Sequence, residues 1–231
     1  MMFVSDLDDT LYSEIDYVRS GCRAVARAVE QQGWMDAPSA LALIQGQESV
    51  EAGFDALLER INQLAPQAGC TIGWILEVYR THMPDISLRP GVAETLDRLL
   101  EAGIPMAIIT DGRSVAQRNK IKALGLDRYV PEGNIIISEE IGNDKNSPLP
   151  FATLMERFPA ESRFLYIGDN PAKDVHGPNH MGWTTVHLRT DGSNIHPLSP
   201  ASFPPAYRAR HSIATFSELL PLLLHRPHSN H

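Results

Sequence analysis

The chain has 231 residues, enough for one large domain, or a core domain with a smaller insertion, and for a substantial buried core. Its formal net charge is −8, with no lysine/arginine block, which argues against a nucleic-acid surface or an anionic membrane as the main partner. Cys22 and Cys70 fit no zinc or redox spacing, no apolar run approaches the roughly 18–20 residues of a membrane span, and the N-terminus lacks the basic start and cleavage site of a signal peptide, so the expected location is the reducing cytoplasm.

The first stretch, Phe3 to Tyr12, reads FVSDLDDTLY. An apolar run enters it and predicts a buried strand that stops at the carboxylates. Asp6 and Asp8 are two residues apart. If the chain stays extended, both side chains leave one face, about 6–7 Å apart. Carboxylates that close repel each other and are costly to desolvate. A cation or a shared proton task would compensate them; the plain alternative is an acidic turn after a hydrophobic strand.

From Tyr12 the rhythm is helical. Val18, Cys22, Val25 and Val29 mark one helix face, and Gly33 ends it. Ala40–Ile44, Gly53–Leu64 and Ile72–His82 are further helices, with breaks expected near Pro38, Pro66–Gly69 and Pro84. No strand is expected between Tyr12 and Leu88. Strand and helix then alternate. Val92–Ala102 is a helix, Pro105–Thr110 a strand, Ser114–Leu124 a helix and Asn134–Ser138 a strand. Pro148–Phe158 is a helix, Arg163–Gly168 a strand, Lys173–Met181 a short helix and Thr184–Leu188 a strand. A surface loop is expected over 189–206, an edge strand near Ile213, a last helix at Ser217–Leu224, and a frayed tail at His225–His231. Apolar strands spaced by helices indicate a Rossmann-like parallel α/β sheet covered on both faces. The domain reading is a core of residues 1–12 and 86–231 with an inserted all-helical domain at 13–85. Nothing in the pattern sets an oligomeric state.

In such sheets chemistry collects beyond the carboxyl ends of the strands. There the sequence delivers Asp6 and Asp8, then Thr110-Asp111-Gly112, then Asp169 and Asp174, with Lys145 in a loop. A carboxylate can act as a nucleophile toward phosphorus if a cation cancels the repulsion, and Mg2+ is the hard cation that oxygen ligands such as Asp6 and Asp169 suit. Asp8 could protonate the leaving oxygen and then deprotonate water. Thr110, nearby backbone N–H groups and Lys145 would hold the phosphoryl oxygens, and Asp174 would orient Lys145 or a metal-bound water. Lys173 is a rival for the lysine. Tyr12, Tyr17, Arg19 and Arg113 could touch substrate or merely pack; His82, His176, His180 and His187 show no ligand spacing.

These residues carry a resemblance. DLDDT matches the DxDxT signature of the haloacid dehalogenase superfamily; IITDG resembles its second motif, DKNSPLPF its third and GDNPAKD its fourth. The resemblance covers residues 1–12 and about 86–225, and it implies a helical cap of the C1 type inserted after the first motif. It implies Asp6 as nucleophile and metal ligand, and Asp8 as general acid/base with its carbonyl on the metal. It implies phosphate binding by Thr110, Asp111, Gly112 and Lys145, with Asp169 on Mg2+ and Asp174 beside it. The third motif departs from Lys-Pro-Asp, here Lys145-Asn146-Ser147. Asp111 stands where Asn is commoner and adds charge near the phosphate unless it binds backbone. Asp9 stands where Gly is common and is expected to be structural. The expected activity is Mg2+-dependent hydrolysis of a small phosphorylated metabolite (sugar phosphate, nucleoside monophosphate or small organic phosphate) through an aspartyl phosphate. The alternatives are a phosphotransferase or mutase of the same superfamily, and a non-catalytic phosphate-binding module. A dehalogenase would need neither Asp8 nor a metal.

Overall fold

The computed structural model describes residues 1–189, 194 and 204–224. Its centre is a six-stranded parallel sheet: β1 (Met2–Ser5), β2 (Met106–Thr110), β3 (Ile135–Ile137), β4 (Phe164–Gly168), β5 (Thr184–Leu188) and β6 (His211–Ile213). The order is β3-β2-β1-β4-β5-β6. β1 is central, with Val4 beside Ala107 on one side and Tyr166 on the other. The chain moves outward from β1 to β2 and β3, then returns to its other side for β4. That reversal leaves a crevice at the carboxyl ends of β1 and β4, where this topology receives ligands.

Alternation along each strand fills two cores. Phe3, Ile108 and Leu165 point to one face, where Val92, Leu96 and Leu99 of α5 (Val92–Glu101) and Ile121 of α6 (Ser114–Ala123) cover them. Met2, Val4, Ala107 and Tyr166 point to the other, under Phe151 and Leu154 of α8 (Leu149–Arg157). Burial on both faces is why these strands read as unbroken apolar runs.

Between β1 and α5 the chain forms α1 (Glu14–Gln31), α2 (Ala37–Gln45), α3 (Val50–Leu64) and α4 (Ile72–Thr81), around a separate cluster that includes Cys22, Val25, Val29, Phe54, Leu57, Ile61 and Ile75. Asp36, Ser49 and Thr71 each accept the N–H three residues on, capping α2, α3 and α4. Pro38 does not break α2 but lies in its first turn, where its missing N–H costs nothing. The two linkers run side by side, with Tyr12 bridging Leu88 and Arg89 N–H bonded to Leu11 C=O at 2.9 Å.

Other differences from the sequence reading are local. β3 is short and leads directly into an unanticipated turn of helix, α7 (Ser138–Ile141). The single helix expected at 173–181 is two, α9 (Pro171–Asp174) and α10 (His176–His180), each with a proline in its first turn. The last helix, α11 (Leu219–Leu224), follows a 3-10 turn at Phe216–Glu218. Both cysteines are free and buried. Among the described residues no helix is long and apolar enough to cross a membrane. Most of the expected loop at 189–206, and the tail His225–His231, lie outside the described residues.

Candidate active site

β1 and β4 deliver Asp6 and Asp169 to the crevice. Asp6 is only 5 % exposed, and its N–H donates to Ile167 C=O at 2.9 Å, so the ladder continues one residue past β1. The chain then turns, with Leu11 N–H bonded to Leu7 C=O. Both carboxylates reach one cavity, as the spacing predicts, but they acquire separate partners.

Asp6 belongs to a group around Lys145. The Lys145 ammonium donates to Asp6 Oδ1 at 2.7 Å and to Asp174 Oδ1 at 2.6 Å. Asp174 also accepts from the Tyr166 hydroxyl and from Asn170 N–H. Thr10 Oγ1 sits between Asp6 Oδ2 (3.4 Å) and Asp169 Oδ1 (3.3 Å). Asn194 donates to Asp169 Oδ2 at 2.7 Å. Carboxylate oxygens of Asp6, Asp169 and Asp174 lie within 4.8 Å of one another. Burial pushes the Asp6 carboxyl well above the ordinary range; Lys145 opposes this, and Asp174, Asp169 and Asp8 add to it. Burial, then Asp174, raises Asp169 to about 7. Burial alone would lower Lys145, but Asp174 and Asp6 reverse this and hold it well above the usual lysine range.

Asp8 has a different set of donors. Oδ1 accepts from Lys120 Nζ at 2.6 Å and from the Tyr12 hydroxyl, and Oδ2 from Gln117 Nε2 at 2.7 Å. Burial favours a raised pKa here too, but Lys120 together with the bonds from Tyr12 and Gln117 outweighs it and holds Asp8 below the usual carboxylate range. Gln117 Nε2 also lies 2.6 Å from Thr110 Oγ1, at the end of β2, so the Thr110 hydroxyl accepts there and keeps its own hydrogen to donate elsewhere.

A cavity of about 160 Å³ opens over Asp6, Asp8, Lys145 and Asp169, with Glu14 and Lys173 on its walls. Burial, then Asp8, raises Glu14 to about 7. Asp111 Oδ1 accepts the backbone N–H of Lys145 at 3.0 Å, which ties the lysine's loop to β2. Lys173 is 45 % exposed and pairs with Asp111 at 3.5 Å rather than with Asp6. Gly112 turns its N–H to Ser138 Oγ rather than to the cavity. Arg113 faces outward to Glu139, and Arg19 to Asp16. Asp9, with a positive φ of 50°, accepts Glu14 N–H at the start of α1 and faces Arg89 at 3.4 Å. His82 bonds to Tyr79 C=O and Ser20, and His187 to Asp169 C=O.

Sequence reasoning missed Gln117, Lys120 and Asn194. A signal existed for Lys120: four residues after Ala116 and next to Ile121, it falls on the apolar stripe of α6.

Gly168 makes this packing possible. A Cβ there would overlap the Asp174 carboxylate. Gly168→Ala is expected to displace Asp174 from Lys145, to cost about 1–3 kcal/mol as overpacking does, and to lower activity. Thermal unfolding and a rate assay on the same preparation check this.

The family model for haloacid dehalogenase-like hydrolases matches residues 1–182. A glyceraldehyde 3-phosphate phosphatase of Methanopyrus kandleri is 31% identical over 195 residues, 80% of this chain and 82% of the relative. A ribulose-1,5-bisphosphate 5-phosphatase of Halopiger xanaduensis is 28% identical over 233 residues, 94% of this chain and 97% of the relative. Among solved structures, a HAD-hydrolase of Bacillus subtilis bound to magnesium superposes with a TM-score of 0.61 at 21% identity, covering 96% of this chain and 97% of that one.

Proposed function

The chain belongs to the haloacid dehalogenase-like hydrolases, and on that premise we propose that it is a Mg2+-dependent phosphatase of a small phosphorylated sugar, acting through phosphorylated Asp6. One observation carries the reading. Asp6 lies at the floor of the cavity with the Lys145 ammonium at 2.7 Å, and Asp8 is held nearby by an unrelated set of donors. The two carboxylates answer to separate cations, Asp6 to Lys145 and Asp8 to Lys120, so each can take its own part in the reaction.

Asp6 attacks phosphorus as the bond to the substrate oxygen breaks, and Asp8 protonates that oxygen. Asp8 then takes a proton from water, whose oxygen displaces Asp6 and frees inorganic phosphate. Lys145 and the Thr110 hydroxyl balance charge on the phosphoryl oxygens. The donor set fits a hard divalent cation. Asp6 and Asp169 offer carboxylate oxygens around Thr10, and among the described residues no lysine or arginine pairs with Asp169. Mg2+ held by Asp6 and Asp169, with Asp174 behind them, would supply the positive charge that lets a phosphate approach a carboxylate. The helices of residues 13–85 serve as the cap, and Glu14 brings the start of α1 to the cavity wall. The relatives that act on a triose phosphate and a pentose bisphosphate support a sugar phosphate as substrate.

Phosphate release from a panel of phosphomonoesters, with Mg2+ and with chelator, tests this. Metal-dependent release with triose and pentose phosphates leading is the expected outcome. Release unaffected by chelator would contradict the cation's role.

Metal binding also has a pH signature. With Asp169 and Glu14 raised to about 7, the metal-free folded state keeps protons that the unfolded chain gives up. Their contribution to stability is present at acid pH and is lost as pH rises from about 4 toward 7. Mg2+ competes with these protons, so the rise in Tm on adding Mg2+ is expected to be larger near pH 8 than near pH 6. Thermal unfolding with Mg2+ or EDTA at both pH values checks this, and equal shifts would contradict it.

A further inference from the structure

The two oxygens of Asp8 are held unequally. Oδ1 accepts from the Lys120 ammonium at 2.6 Å and from the Tyr12 hydroxyl. Among the described residues Oδ2 has one donor, Gln117 Nε2 at 2.7 Å. That amide nitrogen has two hydrogens and three acceptors, since it also reaches Thr110 Oγ1 (2.6 Å) and Asp111 C=O (3.1 Å). Its hold on Oδ2 is therefore shared, and a lone pair of Oδ2 stays free.

Lys120 is built into the interior rather than placed to meet substrate. It is 4 % exposed, and its ammonium lies 4.1 Å from the centroid of the Tyr17 ring and 5.9 Å from that of Tyr12. Two aromatic rings and one carboxylate thus replace its water. The cavity's lining includes Asp8 but not Lys120, whose hydrogen bond to the site is the one to Asp8. A carboxylate rotates readily about its last torsion, where the preference is broad and roughly two-fold. Tying one oxygen on two sides removes that freedom.

We propose that Lys120 is a positioning residue for proton transfer: with Tyr12 it fixes Oδ1 of Asp8, so that Oδ2 is the atom that exchanges the proton. This rests on the phosphatase reading above. In the first step the Asp6–phosphorus bond forms, the bond from phosphorus to the substrate oxygen breaks, and that oxygen takes the proton from Oδ2. In the second, water oxygen bonds to phosphorus, the Asp6–phosphorus bond breaks, and a water proton returns to Oδ2. Nothing is oxidised or reduced.

The test compares two esters. An alkyl phosphate such as glycerol 3-phosphate needs its leaving oxygen protonated; p-nitrophenyl phosphate does not. Lys120→Met is expected to lower kcat/KM for the alkyl ester on the order of 100-fold, the lower range for general acid catalysis, and for the aryl ester less than about 10-fold. The aryl ester should also show a burst of p-nitrophenolate, because water activation slows. The ratio between esters is taken within one preparation, so partial misfolding cancels. Lys120→Arg should restore much of the alkyl rate. In an Asp8→Asn background, Lys120→Met should add almost nothing. Equal losses on both esters, or additive losses in that background, would overturn the positioning role alone. If the unmodified protein releases phosphate from neither ester, the phosphatase reading falls and this proposal with it.

Discussion

Asp6→Asn is expected to abolish phosphate release, by on the order of 10⁵-fold or more, as removal of a covalent nucleophile does in other hydrolases. The substitution is close to isosteric. Asparagine's carbonyl oxygen can still accept from Lys145, and Asp174 remains to balance that ammonium at 2.6 Å. What disappears is a buried negative charge that burial and three neighbouring carboxylates already disfavour. Without Mg2+ the variant should therefore unfold at or above the temperature of the unmodified protein. Loss of activity in a folded, equally stable protein would locate the defect in chemistry. Release that survives would assign the nucleophile elsewhere.

Lys145→Met is expected to damage both stability and activity. Lys145 is the shared cation of two buried carboxylates, Asp6 and Asp174. Removing one partner of a buried pair leaves uncompensated charge and costs about 3–5 kcal/mol. For a chain of this length that is a fall in Tm of roughly 6–20 °C. Lowering the pH should recover part of it. With the lysine gone, the Asp6 carboxyl, already raised by burial, rises further above its unfolded value, so the variant's stability declines as pH rises from the unfolded value of Asp6 toward its folded one. Activity should fall on the order of 10³-fold, since a fixed charge opposite the phosphoryl group is lost. Lys173→Met is the control. Half-exposed and 3.5 Å from Asp111, it should change stability by no more than about 0.5 kcal/mol. Thermal unfolding of both variants separates the two lysines; equal effects would contradict the pairing described here.

The parts of the fold that were legible in the sequence are those with a simple burial pattern. β1, β2 and β4 bury both faces, so each appears as a short apolar run, and α1 shows its stripe through Cys22, Val25 and Val29. β3 blurs because it is short and passes straight into α7. The residues at strand ends, Asp6, Thr110 and Asp169, were legible because topology alone brings strand ends together. Asp8 was legible, but not its surroundings, because two of its partners come from positions far along the chain. These donors, Gln117 and Lys120, come from α6, on the buried stripe that Ala116 and Ile121 also mark, and the Lys120 ammonium lies over the Tyr17 ring. Lys145 lies in an irregular loop, and its position depends on a long-range bond from its own N–H to Asp111. Asp111 thereby acquires a structural task, binding backbone as the sequence allowed.

Phosphorylated Asp6 can be trapped by a rapid acid quench of the enzyme during turnover with a phosphomonoester it hydrolyses, followed by mass spectrometry of the peptide that contains residues 1–12. The expected result is a phosphoryl group on Asp6 that appears before free phosphate and decays as phosphate is released. Stoichiometric phosphate release with no phosphorylated Asp6 at any quench time would mean that water attacks the substrate directly, and would contradict it.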